Sequence, residues 1–285
     1  MSQKKIKRSI FSKIVNQVFL LFNSFILFIL EIFTNPTWFP YRVQAIANRF
    51  LFNRYHLSRH SEYNAHSRSV LDSISFILKK NQSEIMEIIG YDLADKTQNK
   101  DSIGQDINGD SPIPSRFNGT NDFLEAIYIC CKILKPKNIV ETGVARGSST
   151  VTILTAINEN NTGKLYSVDL PAFIWNYKSH IGELVEEKLK KNWSLSIGPT
   201  GKILPKILSE LGEIDLFIHD SSHSYHSQKE DYENAMKYLA PGGILISDDI
   251  SNDAFLELAE SSGCRWSVIS QPKYYPIGIL IKGLD

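Results

Sequence analysis

The side chains of this chain best suited to chemistry are acids that follow short apolar runs. Ile214–His219 (IDLFIH) leads into Asp220, with His223 close behind, and residues 244–247 lead into Asp248-Asp249. Residues 138–141 end in Glu141 and open onto Gly143, Ala145, Gly147, Ser148 and Ser149, while Lys164–Asp169 (KLYSVD) ends in Asp169. A carboxylate, or an imidazole whose ordinary pKa lies near 6.5, can take a proton from a reacting group. Structural roles compete with that reading. Asp248-Asp249 would also suit the N-cap of a helix starting at Asp253, and His223 would suit a cap or a surface position. His219 belongs to its apolar run and reads as a buried, hydrogen-bonded histidine.

The turn after Glu141 narrows the ligand. Its glycines follow G-x-x-x-G, with Ala145 between them, whereas a dinucleotide turn needs G-x-G-x-x-G to bring amides onto a pyrophosphate. A carboxylate ahead of the turn repels a phosphate and favours a cation. That points to a sulfonium, S-adenosylmethionine, rather than a nicotinamide dinucleotide. Asp169 could accept hydrogen bonds from both ribose hydroxyls of a nucleoside. The loop Gly198-Pro199-Thr200-Gly201 could flank an adenine ring.

These residues need a scaffold that brings them together. The pattern predicts helices over Asp122–Leu134 (capped by Asn121), 148–158, 181–191, 203–211, 225–239 and 253–262. Strands are predicted over 138–141, Lys164–Asp169, Trp193–Ile197, Ile214–His219, 244–247, 266–271 and 277–282, with a turn at Pro241–Gly243. Strands alternating with helices form a doubly wound, mostly parallel sheet covered on both faces. Seven strands are expected, preceded by an N-terminal helical extension. Ligands of such sheets sit outside the carboxyl ends of the strands, where all the acids above fall.

The rest of the chain divides by composition. Net charge is zero, yet residues 1–61 carry nine Lys or Arg against Glu31 alone, a local +8 on an acidic body. Residues 14–33 hold fifteen apolar residues in twenty, and Asn35-Pro36 stops the helix they predict. Such a helix could span a bilayer, lie in its interface or pack on protein. Trp38, Phe39 and Tyr41 beyond it resemble an interfacial aromatic belt. Residues 5–33 are thus expected to associate with a membrane at its cytoplasmic face, and nucleic acid is not an expected partner. A second copy of the chain stays open. Residues 1–34 form the apolar segment, 35–120 a helical region with a polar loop over 91–120, and 121–285 the folded α/β domain. Cys130, Cys131 and Cys264 have no metal-binding spacing and read as buried thiols.

IVETGVARGSST, KLYSVDLP, WSLSIGPTGKILPKIL and IDLFIHDSSHSYHSQKEDYENAMKYLAPGGILISDDI together resemble the class I S-adenosylmethionine-dependent methyltransferases. The subgroup is the one with macrolide-sugar O-methyltransferases and cephalosporin hydroxylase-like proteins. The resemblance covers residues 121–285, and Ala145 departs from the commonest glycine pattern. It implies that Glu141 and the turn Gly143, Ala145, Gly147, Ser148 and Ser149 hold the methionine part of the cofactor, Asp169 the ribose, and Thr200 the adenine. It also implies a divalent cation, Mg²⁺ or similar, on Asp220, Asp248 and Asp249. Three carboxylates at adjacent strand ends would otherwise repel one another, and hard oxygen ligands suit Mg²⁺. His223 or Asp220 would act as base on a hydroxyl of a sugar, glycan or related small molecule. A metal-independent methyltransferase and a non-catalytic, cofactor-binding membrane scaffold are the competing readings.

Overall fold

The computed structural model describes residues 33–43, 60–89, 122–170, 180–270 and 275–283, with Ile26 and Leu30. Most of the apolar helix expected over 14–33, the polar stretch 91–120 and the cap at Asn121 lie outside the described residues. Among the described residues, no helix is long and apolar enough to cross a membrane.

The strands are β1 (Ser67–Arg68), β2 (Asn138–Thr142), β3 (Lys164–Asp169), β4 (Trp193–Ile197), β5 (Ile214–His219), β6 (Leu239–Ser247), β7 (Arg265–Ile269) and β8 (Ile277–Ile281). They form one sheet in the order β1-β7-β8-β6-β5-β2-β3-β4. Every pairing is parallel except those of β8 with β6 and with β7. The α-helices are α1 (His60–Ala65), α2 (Val70–Leu78), α3 (Gln82–Ile89), α4 (Asp122–Leu134), α5 (Ser148–Asn160), α6 (Thr200–Leu211), α7 (Tyr225–Tyr238) and α8 (Ala254–Ser262).

Alternation along the strands fills both sides of the sheet. Ile139, Leu216, Ile218, Ile244, Ile246 and Ile279 face α2 to α5. Val140, Phe217, Leu245 and Leu280, from the intervening positions, face α6, α7 and α8. Consecutive strand residues point to opposite faces, so two covering layers require apolar residues at every position. That requirement makes the runs near-continuous in sequence and easy to read.

Three expectations are corrected. The sheet has eight strands rather than seven, because Ser67–Arg68 pairs with Val268 and Ile269; two residues are too short for a pattern. Residues 181–191 do not form a helix. They run through turns into a 3-10 segment, Glu187–Asn192. Gly182 there has a φ of +67°, and its N–H bonds Ala145 O while that of Leu184 bonds Arg146 O. The backbone thus binds the glycine turn instead of its own helical ladder. At 241–243 the expected turn is instead an irregularity within β6, whose register shifts between its pairs with Ile214 and Leu216.

Gly278, in β8, is where two layers meet most tightly. A Cβ there would lie 2.5–2.7 Å from three ring carbons of the fully buried Phe255. Gly278→Ala should cost about 1–3 kcal/mol by overpacking. Combined with Phe255→Leu, the costs should sum to less than the two singles, because the methyl enters space vacated by the ring. Urea unfolding of the four proteins measures this; strict additivity would place the strain elsewhere.

Candidate active site

The topology reverses between β2 and β5, from which the chain winds outward in both directions. Ligands of doubly wound sheets bind at such a switch point. Backbone bonds past the strand ends bring the site loops side by side. Gly143 N–H bonds Val168 O, Asp220 N–H bonds Thr142 O, Asp248 N–H bonds His219 O and Gly198 N–H bonds Asp169 O, at 2.8–2.9 Å.

Gly143 shows how close these loops run. Its φ is +87°, and a Cβ would fall 1.9 Å from the carbonyl oxygen of Asp220. Only glycine fits. Gly147, at φ +100°, is the N-cap of α5. Ala145 also adopts a positive φ, +47°. That conformation costs an L-residue roughly 1–2 kcal/mol. Asp169 offsets it. Its Oδ2 accepts the N–H groups of Val144 at 2.8 Å and Ala145 at 2.7 Å. Asp169 thus staples the glycine turn to the end of β3, a role its place in the sequence did not reveal.

Glu141 lies fully buried beneath the turn. Its carboxyl oxygens accept the hydroxyls of Ser149 (2.7 Å), Thr150 (2.8 Å) and Ser167 (2.7 Å). Trp193 Nε1–H donates in turn to Ser167 Oγ at 2.9 Å, and Gly182 packs under the indole of Trp193. Burial pushes the Glu141 pKa up to about 7, against the three hydroxyls that favour its ionised form. Neutral donors do not replace a lost hydration shell. Ser148 opens α5 at the same turn and is exposed.

Across the switch point, Asp220 Oδ1 lies 3.8 Å and Asp249 Oδ2 3.9 Å from His223 Nε2. Burial, then the charges of Asp248, Glu141, Asp249 and Asp169, hold the Asp220 pKa well above the usual carboxylate range. Burial and Asp249 raise Asp248 to about 6, and burial raises Asp249. His223 goes the other way, to about 4, through burial and then its neighbour His219. The imidazole is therefore neutral at pH 7.

Neither structural alternative for these residues holds. The N–H of Ala254 at the start of α8 is accepted by Asn252 Oδ1 at 2.9 Å, not by Asp248 or Asp249. The N-cap of α7 is Ser224, not His223. His219 is buried, as expected, with Ser221 Oγ 3.3 Å from Nε2 and Ser247 Oγ 3.4 Å from Nδ1. Thr200 begins α6 rather than sitting in a loop before it.

The expected ligand group of Asp220, Asp248 and Asp249 is not brought together. Among the described residues, no three His, Cys, Asp or Glu side chains are placed to hold a metal ion. Asp249 has a φ of +46°, and its carbonyl oxygen accepts Gln228 Nε2–H at 3.2 Å. Asn252 Nδ2–H bonds Gln228 Oε1 at 2.6 Å and His223 O at 3.1 Å, and Tyr63 O–H bonds Asn252 O at 2.6 Å. Sequence reasoning missed Gln228 and Asn252, which hold this loop in place. Their one signal is an amide near a helix start, Asn252 two residues before α8 and Gln228 three residues into α7, too common to single out.

Residues 140–250 match the family model described as a methyltransferase domain. The match runs from within β2 to just past β6, so it takes in the switch point and the acidic strand ends described above. Among curated proteins, no sequence gives a significant match. Similar solved structures include an O-methyltransferase from Bacillus cereus in complex with SAH (17% identity, 73% of this chain and 95% of that one, TM-score 0.46). CalS11, a calicheamicin methyltransferase, is 18% identical over 67% of this chain and 94% of its own, at a TM-score of 0.43. The O-methyltransferase TomG from Streptomyces achromogenes, involved in tomaymycin synthesis, is 14% identical over 56% and 79%, also at 0.43.

The Glu141 pocket makes stability depend on pH. Its folded pKa, about 7, lies above the ordinary 4.5, so the fold favours the protonated acid. That contribution is complete below pH 4.5 and is lost as pH rises toward 7, by up to about 3 kcal/mol. Glu141→Gln has no such proton to lose. Urea unfolding between pH 4.5 and 7.5 should show the stability of the parent falling relative to the variant. A difference constant with pH would mean that this carboxyl does not titrate in the fold.

Proposed function

We propose that the protein is an O-methyltransferase that acts on a hydroxyl of a sugar, glycan or related small molecule. The supporting observation is the acidic edge itself. Glu141, Asp169, Asp220, Asp248 and Asp249 lie at adjacent strand ends, and neighbouring carboxyl charges add to burial in opposing the ionisation of Glu141, Asp220 and Asp248. A cationic ligand relieves that opposition. Bound S-adenosylmethionine would supply an electrophilic methyl group on a sulfonium.

The chain's own residues then have distinct work. Gly143, Ala145, Gly147, Ser148 and Ser149 present bare backbone and small side chains to the methionine end, with Glu141 beneath setting the negative potential. Asp169 uses Oδ2 to hold the turn, and its other oxygen faces the ribose role. Thr200, at the start of α6, lies at the adenine end. Asp220, its pKa held well above the usual carboxylate range, would receive the acceptor's proton as the acceptor oxygen bonds the methyl carbon and the S–CH3 bond breaks to leave the neutral thioether. His223, neutral and within 4 Å of two carboxylates, orients Asp220 or takes the proton in its place.

Asp220, Asp248 and Asp249 are hard oxygen donors of the kind a divalent cation takes, but they are not placed as one ligand group, so no step is assigned to a metal. Membrane association through residues 5–33 is supported by Ile26, Leu30 and Phe33, which are spaced as one helical face and are 40%, 53% and 79% exposed. A membrane-facing enzyme would meet a lipid-linked glycan at raised local concentration. No feature favours nucleic acid.

Transfer of labelled methyl to envelope glycan extracts and to soluble sugars tests the reading. Asp220→Asn should lower the rate about 10²-fold or more while S-adenosylhomocysteine still binds with near-parental affinity. Methylation unaffected by the substitution would favour a scaffold or another base. EDTA separates the two readings of the metal: loss of turnover that added Mg²⁺ restores would establish metal dependence. Undiminished turnover in EDTA would establish the metal-independent reading.

A further inference from the structure

Residues 35–43 lie outside the match at 140–250, yet they pack against the adenine end of the site. The segment is a short 3-10 turn, Pro36–Trp38, that continues as a helical stretch through Val43. Its contacts fall on Gly198, in the connection from β4 to α6, and on Gly201 and Lys202 in the first turn of α6. The six-membered ring of Trp38 sits 3.3 Å from where a Cβ on Gly198 would be. Tyr41 Cε1 is 3.1 Å from the corresponding point on Gly201. Lys202 Nζ donates to Thr37 Oγ1 at 2.9 Å. Glycine at 198 and 201 leaves room for the two aromatic rings.

We propose that Trp38 forms a wall of the cofactor pocket at its adenosine end, held there by the Thr37–Lys202 bond, so that residues 35–43 are part of the binding site. This rests on the methyltransferase reading above, because the loop matters only if it borders an adenine. A flat indole beside a bare glycine is a surface on which a purine can stack. Arg42 supports the placement. It is 93% buried, being only 7% exposed, and its guanidinium acts to lower the Asp169 pKa, against burial. Its charge, with the amides of Ala145 and Val144, opposes the rise that burial imposes on the Asp169 pKa. The wall meets only the nucleoside, so it contributes to adenosine and to the whole cofactor alike, and nothing to the methionine end.

Calorimetry on the full chain distinguishes the outcomes, with S-adenosylhomocysteine and adenosine as probes. Trp38→Ala should weaken both by a similar factor, about tenfold, the usual worth of one aromatic–base stack. Lys202→Met should weaken both by less. Binding unchanged in Trp38→Ala, or tightened as though the indole had been a plug, overturns the proposal. If Trp38→Ala fails to fold, hydrogen exchange of the parent decides. The amides of Thr37, Trp38, Phe39, Tyr41, Arg42 and Val43 should be protected by S-adenosylhomocysteine, and unaltered exchange rejects the wall. If the parent binds neither probe, the methyltransferase reading itself has failed, which separates that outcome from failure of the wall alone.

Discussion

Five carboxyl groups crowd the carboxyl edge of this sheet, and most of the site geometry follows from how their charge is managed. Taking one carboxylate out of water is costly, and placing several together multiplies the cost. The protein spreads that cost in different ways. Glu141 is enclosed by three hydroxyls, Asp169 by two backbone amides, and Asp220 by a neutral imidazole at 3.8 Å. None of these partners is a full positive charge, and at Asp169 the effect of the Arg42 cation is outweighed by burial. The edge therefore stays electrostatically unsatisfied, and its carboxyls hold their protons to higher pH than free carboxyls do. Such an edge is preorganised for a cation and hostile to phosphate.

The same constraint explains the backbone. Gly143 must press against the carbonyl of Asp220 for the loops after β2 and β5 to share one cleft. The turn it opens is then fixed from two sides, by Asp169 below and by Gly182 and Leu184, whose N–H groups bond Ala145 O and Arg146 O. Ala145 can occupy a conformation usually left to glycine because two of its backbone groups are held by these partners. Gly182, in turn, is glycine because Trp193 lies over it, and Trp193 reaches through Ser167 to Glu141. The glycine turn, the segment after residue 180 and the buried acid are one connected unit. A change in any of them should be felt at the turn.

How much of this was legible varies with the range of the interaction. β3, β4 and β5 appear in the structure with the bounds expected from their residues, because strands covered on both faces carry an unmistakable apolar run. The acids at the strand ends were legible for the same reason, since a strand's end is where its run stops. The segment 181–191 was not, because charged residues at helical spacing outweighed Gly182 in the pattern, while its real hydrogen-bond partners lie some 37 residues earlier, at Ala145 and Arg146. β1 was missed because its two residues exist as a strand only through β7.

Local chemistry thus determined the order of elements, the doubly wound sheet and the set of acids at its edge, because periodicity and strand ends are properties of neighbouring residues. Tertiary structure decided what each acid does. It buried Glu141 among Ser149, Thr150 and Ser167, gave Asp169 to the glycine turn, and set His223 between Asp220 and Asp249. It also laid Trp38 against Gly198, across 160 residues of chain. Burial and charge coupling depend on what the fold packs around a group, and no single stretch of sequence contains that information.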